Sequence, residues 1–102
     1  MYYIYMLRCE DNSIYTGITT DIDRRMQEHF GKDNKCAKYT KTHTPKKLES
    51  LWSAENKSLA SKLEYHIKKL PKEDKENLIK THKLEYFLSD KLDVNEYKYE
   101  KY

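Results

Sequence analysis

Two segments open the chain, YYIYMLRC at 2–9 and SIYTGIT at 13–19, both rich in aromatic and β-branched residues and joined through the turn formers EDNS. Segments of this composition with so short a connection predict an antiparallel hairpin. Along the first strand Tyr3, Tyr5 and Leu7 alternate with Tyr2, Ile4 and Met6. Side chains on a strand repeat every second residue, so the length of the loop decides which residues share a face. A loop of three residues, Asp11 to Ser13, puts Tyr5 and Tyr15 on one face of the sheet. A loop one residue shorter puts them on opposite faces.

The chain then changes period. Thr20 or Asp21 is placed to cap a helix whose apolar stripe is Ile22, Met26 and Phe30, and Gly31 ends it. Arg25 and His29 lie one turn apart beside that stripe, at the boundary of core and solvent. A lysine-rich loop follows, and KLESLWSA around Trp52 reads as a third strand. Asn56 opens a second long helix with Leu59, Leu63, Ile67 and Leu70 as its stripe and Glu64 at its edge. Pro71 starts a third, short helix through Ile79. Beyond it, Leu84, Phe87, Leu88 and Leu92 predict one more short helix, and the charged, tyrosine-rich DVNEYKYEKY predicts a frayed tail. The expected organisation is one domain over 1–80 with an extension over 81–102.

Composition narrows the function classes. Hydrophobic residues are 37% and charged residues 36% of the chain, so its ten tyrosines must supply much of the bulk of a compact core. The formal net charge is only +3, but residues 32–47 carry six lysines against the single acid Asp33, a local +5 that leaves −2 for the remainder. This concentrates positive charge in one patch suited to phosphate contact. Within it, Lys35, Lys38, Tyr39 and Lys41 interleave cations with an aromatic ring and are the expected nucleic-acid-binding residues. No apolar stretch nears the roughly 20 residues of a membrane span. Two cysteines without CxxC spacing fit free thiols in a reducing cytoplasm. A zinc site built from Cys9, Cys36, His29 and His43 lacks paired-ligand spacing and is set aside.

YIY at 3–5, YTG at 15–17, RRMQEH with Arg25 and His29, and a later helical Glu64 together resemble the GIY-YIG nuclease superfamily. Within it, the chain looks like the small stand-alone bacterial-type members, sometimes called YhbQ-like. Each piece alone is weak; the order and spacing over about 80 residues make the combination specific. The resemblance implies an α+β fold, a three-stranded antiparallel sheet flanked by helices. It also implies a DNA endonuclease that uses a single divalent ion, Mg²⁺ or Mn²⁺. Carried over by position, the catalytic residues are Tyr5, Tyr15, Arg25, His29 and Glu64, with Glu64 holding the metal. Two positions depart from the family pattern: Tyr3 stands for the first-motif glycine, and Ile18 stands where a lysine often follows the second-motif glycine.

These residue types suit phosphodiester hydrolysis. Mg²⁺ keeps several waters and is held by one carboxylate plus a substrate phosphate. Arginine presents a fork of donors to charge building on the phosphate. A tyrosine or His29 accepts the proton of the attacking water. Tyrosine is a costly base, because lowering its pKa from about 10 to about 7 takes roughly 4 kcal/mol of selective phenolate stabilisation. Taken singly, every member has a structural explanation: sheet tyrosines, an Arg25 ion pair with Glu28 or Asp21, a histidine closing a helix, a Glu64–Lys68 surface pair. The coincidence of all five favours DNA cleavage, with a repair-associated or structure-selective role, over a catalytically impaired nucleic-acid-binding module of the same fold. The oligomeric state is open, with a monomer the simpler expectation.

Overall fold

The computed structural model describes residues 1–31 and 37–102. Lys35 and Cys36 therefore lie outside the described residues. Strands β1 (Tyr2–Cys9) and β2 (Ile14–Thr19) form the expected hairpin, followed by helices α1 (Ile22–Phe30) and α2 (Lys38–Thr42) and strand β3 (Pro45–Ala54). Helices α3 (Lys57–Lys69), α4 (Lys72–Thr81) and α5 (Glu85–Leu88), a 3₁₀ turn at Val94–Glu96 and strand β4 (Lys98–Glu100) complete the chain. The architecture is α+β, an antiparallel sheet with helices against both faces.

The sheet has four strands in the order β2-β1-β3-β4, which corrects the three-stranded expectation. The fourth comes from DVNEYKYEKY, whose charge reads as solvated tail. Its tyrosines are the structural part: the Tyr97 hydroxyl donates to the Leu59 carbonyl at 2.7 Å, and the Tyr99 ring meets Trp52 edge-on at 5.9 Å. Glu100 accepts from the Ser53 hydroxyl at 2.7 Å, and Trp52 pairs with Tyr99 in the ladder.

The hairpin turn differs in position from the expected one. Asn12 N–H donates to the Cys9 carbonyl and Cys9 N–H to the Ser13 carbonyl, so the loop is Glu10–Asp11–Asn12. Asn12 takes the left-handed conformation, φ 71°, that closes such a three-residue loop. The displaced loop changes register by two residues, which preserves the face, so Tyr5 and Tyr15 point the same way, opposite Gly17 and Leu7 respectively.

Each face of the sheet buries its own cluster. Ile4, Met6, Trp52 and Ala54 pack against Ala60, Leu63 and Ile67 of α3, Leu78 of α4, and Leu84, Leu88, Leu92 and Tyr97 from the last third of the chain. Tyr5, Leu7 and Leu51 pack against Met26 of α1, with Tyr15, Ile22 and Leu48 around them. A bulge in β3 shifts pairing from Met6–Ser50 to Leu7–Leu48 and leaves Glu49 as the extra residue. The bulge turns Leu48 to the same face as Leu51, which regular alternation forbids. Arg8 stands on the other face, where its guanidinium binds Glu49 of β3 at 2.9 Å and both oxygens of Glu76 of α4 at 2.6 Å. Among the described residues no helix is long and apolar enough to cross a membrane.

Candidate active site

The site grows from the hairpin. The Tyr5 ring lies across Gly17, and the Tyr5 and Tyr15 rings sit 6.2 Å apart at 47°. A Cβ at position 17 would stand 2.5 Å from Tyr5 Oη, 2.7 Å from its Cζ and 3.0 Å from Tyr15 Cε2. The glycine of YTG is thus required by close approach of two rings, and its backbone conformation is ordinary. Tyr5 is wholly buried, while Tyr15 is half-buried.

Helix α1 closes over these rings. The Asp21 carboxylate accepts from Arg24 N–H and caps its start. The stripe that faces the sheet is Ile22, Met26 and His29, correcting the expected Ile22–Met26–Phe30: His29 is fully buried and Phe30 is 45% exposed. An imidazole is tolerated inside because both nitrogens are bonded, Nε2 to the Tyr5 hydroxyl at 2.7 Å and Nδ1 to Thr40 Oγ1 at 2.8 Å. His29 packs edge-on against Tyr5 at 5.6 Å and Tyr15 at 5.5 Å. Burial, helped by the charge of Arg25, pushes the His29 pKa down to about 4, so the ring is neutral near pH 7. Arg25 Nε donates to Tyr5 Oη at 3.4 Å, and its Nη1 pairs with Glu28 at 2.8 Å.

Glu64 approaches from the far side of the sheet. Helix α3 packs on β2, an edge strand, and Glu64 at the border of its buried stripe is close enough for its charge to raise the Tyr5 pKa. Lys68, one turn on, pairs with Glu64 at 3.4 Å and holds its ammonium 5.9 Å from the Tyr15 ring centre. Burial is the larger influence on Tyr5 and drives its pKa far above the usual phenol value, with Arg25 opposing. The Tyr5, Tyr15 and His29 rings are therefore in mutual contact, with Arg25 on the Tyr5 hydroxyl, and Glu64 joins them through charge and through Lys68.

The neighbourhood holds residues that sequence reasoning missed and one it misplaced. The window around Lys38, Tyr39 and Lys41 is the short helix α2, where a loop is expected. Tyr39 stacks on Tyr15 at 5.6 Å and on His43 at 4.1 Å, and His43 Nδ1 bonds Asp11. Lys38 and Lys41 are exposed on the same helix. Thr40, completely buried against His29, carries no sequence signal, since nothing about a lone threonine marks a partner 11 residues away. Ile18 pairs with Ile4 and packs in the main core, so the position after the motif glycine faces away from the two tyrosines. Arg8 is likewise on that other face, with its guanidinium bonded to Glu49 and Glu76.

Among the described residues no three His, Cys, Asp or Glu side chains form a metal cluster. Glu64, a single carboxylate, could hold a hard divalent ion, a class that takes oxygen donors and keeps several waters. The donor set does not fit zinc, because both His29 nitrogens are already bonded.

Comparison with known proteins identifies the family. Residues 1–77 match the GIY-YIG catalytic domain model. The chain is 45% identical over 100 residues to the UPF0213 protein FN1575 of Fusobacterium nucleatum, an alignment covering 98% of this chain and 96% of that one. It is 44% identical over 78 residues to the UPF0213 protein VNG_2274C of Halobacterium salinarum, covering 76% of this chain and 99% of the relative. The solution NMR structure of the UPF0213 protein BH0048 from Bacillus halodurans is 38% identical and superposes with a TM-score of 0.53 over 91% of this chain and 98% of that one. With the domain model matched over residues 1–77 and a relative 45% identical over nearly the whole chain, the chain belongs to the GIY-YIG family of nuclease domains.

Proposed function

We propose that this protein is a divalent-metal-dependent endonuclease that hydrolyses DNA phosphodiester bonds with Tyr5, Tyr15, Arg25, His29 and Glu64. The observation that carries the reading is the packing of three proton-transferring rings within 6.2 Å of one another, with Arg25 on the central phenol. Glu64 is the metal ligand and gives up Lys68 to serve it. The ion, Mg²⁺ or Mn²⁺, would neutralise charge on the scissile phosphate when bound.

The remaining roles belong to the chain. Burial disfavours a preformed Tyr5 phenolate, so Tyr5 acts as a relay: once substrate binding admits the attacking water to its hydroxyl, it takes a proton from that water as its own passes to neutral His29 Nε2. No free phenolate is needed, and the cost of lowering a phenol pKa is avoided. Tyr15 orients the water, and Arg25 turns a donor to the oxygens that gain charge as the P–O bond breaks. Lys38, Lys41 and Tyr39 track the DNA backbone beside the site, and Lys35, outside the described residues, adds its charge to the same stretch of sequence. With a single small surface, DNA shape and charge are recognised in preference to base sequence, which suits a repair-associated or structure-selective enzyme.

The test is incubation of the purified protein with branched, nicked, single-stranded and duplex DNA plus Mg²⁺ or Mn²⁺. Cleavage that disappears in Glu64→Ala supports the reading. A second reading, a nucleic-acid-binding module without turnover, is favoured by the Glu64–Lys68 pair and the raised Tyr5 pKa. Binding without cleavage on every substrate, indifferent to Glu64→Ala and steeply salt-dependent, would select it.

A further inference from the structure

We infer that Thr40 is a positioning residue that fixes His29 as the Nδ1–H tautomer, leaving Nε2 aimed at Tyr5 as a proton acceptor. Its catalytic consequence rests on the nuclease reading; the tautomer itself does not.

Proton counting assigns the direction of each bond. Thr40 Oγ1 lies 3.0 Å from the Ala37 carbonyl and 2.8 Å from His29 Nδ1. Tyr5 Oη lies 2.7 Å from His29 Nε2 and 3.4 Å from Arg25 Nε, which can only donate. If Nε2 carried the hydrogen, Tyr5 Oη would receive two donors while its own hydroxyl hydrogen found no acceptor among the described residues, inside a fully buried group. Buried donors are almost always satisfied. With the hydrogen on Nδ1 every group is matched: Tyr5 O–H donates to Nε2, Nδ1–H donates to Thr40, and the Thr40 hydroxyl donates to the Ala37 carbonyl. The chain ends on the backbone of the residue that precedes α2. Among the described residues Thr40 Oγ1 is the hydrogen-bond partner of Nδ1, so on that side of the ring the tautomer is held by this one hydroxyl, which is itself completely buried. A base whose lone pair must point at Tyr5 is useless in the other tautomer, as the wrong orientation removes the acceptor.

The experiment is long-range ¹H–¹⁵N NMR of the full chain with labelled histidine, which reports which ring nitrogen of His29 is protonated. The wild type should show protonated Nδ1 and bare Nε2. Thr40→Val, which keeps the shape and removes the hydroxyl, should shift His29 toward the Nε2–H form and lower kcat at least about tenfold with little change in KM, since general base catalysis contributes about 10²–10⁴-fold. Thr40→Ser should restore the wild-type spectrum and most of the lost turnover. A wild-type spectrum with Nε2 protonated overturns the inference, even if the valine variant fails to fold. So does an unchanged tautomer in Thr40→Val, or a switched tautomer with undiminished kcat. Absence of cleavage by the wild type would remove the nuclease reading while the spectrum still decided the tautomer.

Discussion

Replacing Gly17 with alanine isolates the contact on which the tyrosine pair depends. The added methyl would lie 2.5 Å from Tyr5 Oη, 2.7 Å from its Cζ and 3.0 Å from Tyr15 Cε2. Neither ring has an easy retreat: Tyr5 is 0% exposed and tied to His29, and Tyr15 is wedged between Tyr5 and Tyr39. Overpacking of this kind costs about 1–3 kcal/mol. Against it stands the strand preference for alanine over glycine, worth roughly 0.5–1 kcal/mol. The net expectation is a loss of about 1–2 kcal/mol, read as a fall in Tm of roughly 5–10 °C for a domain of this size. Urea unfolding and calorimetry measure it directly. A Tyr5→Phe background removes the nearest contact and leaves the ring carbon at 2.7 Å, so the same glycine change should cost less there but not nothing, with a coupling on the order of 0.5–1 kcal/mol. A Gly17→Ala protein as stable as the wild type would refute the close-approach account of the motif glycine.

The buried imidazole makes stability fall with acidity. His29 titrates near 6.5 when unfolded and at about 4 when folded, so the unfolded chain takes up a proton first and stability declines as pH drops from about 6.5 toward about 4; His29→Gln should flatten that slope in urea titrations. Glu76 acts in a lower window. Arg8, its first cause, holds its pKa at about 2, so the pair's contribution is complete above the ordinary carboxylate range and is lost as pH falls toward about 2; Arg8→Met should reduce this acid dependence and destabilise the protein by about 1–3 kcal/mol at pH 7 through two uncompensated carboxylates. Truncation before Asp93 should lower Tm measurably, since it removes β4, the Trp52–Tyr99 contact and the Tyr97–Leu59 hydrogen bond, the last worth about 0.5–1.5 kcal/mol.

What the sequence disclosed and what it concealed divide along a physical line. Hairpin, caps and the long helix were legible because strand alternation, Asp21, Asn56 and the stripe through Leu63 and Ile67 are local signals. The shared face of Tyr5 and Tyr15 was legible because it depends only on loop parity, which survived a wrong loop position. The α1 stripe was misjudged because hydrophobic periodicity prefers Phe30 to His29, and only tertiary hydrogen bonds make a buried imidazole acceptable. β4 escaped because two of its three residues, Lys98 and Glu100, are charged and the hydrogen bonds that hold it and the adjoining Tyr97 come from residues 38 to 47 positions away. Thr40 escaped for the same reason, and so did the approach of Lys68 to Tyr15, although its pair with Glu64 was legible: each acts on a ring supplied by another element.

The turn at Glu10–Asn12 projects into solvent, where a chain ordinarily tolerates gain or loss of residues. Here it is indexed to the chemistry behind it. Adding one residue would swap Tyr15 with a neighbour and send the phenol into the opposite core, and adding two would restore its face but slide Gly17 out from under Tyr5. The letters of that tip can vary where the backbone allows, position 12 needing a residue that accepts a positive φ, but its length is as constrained as any buried side chain.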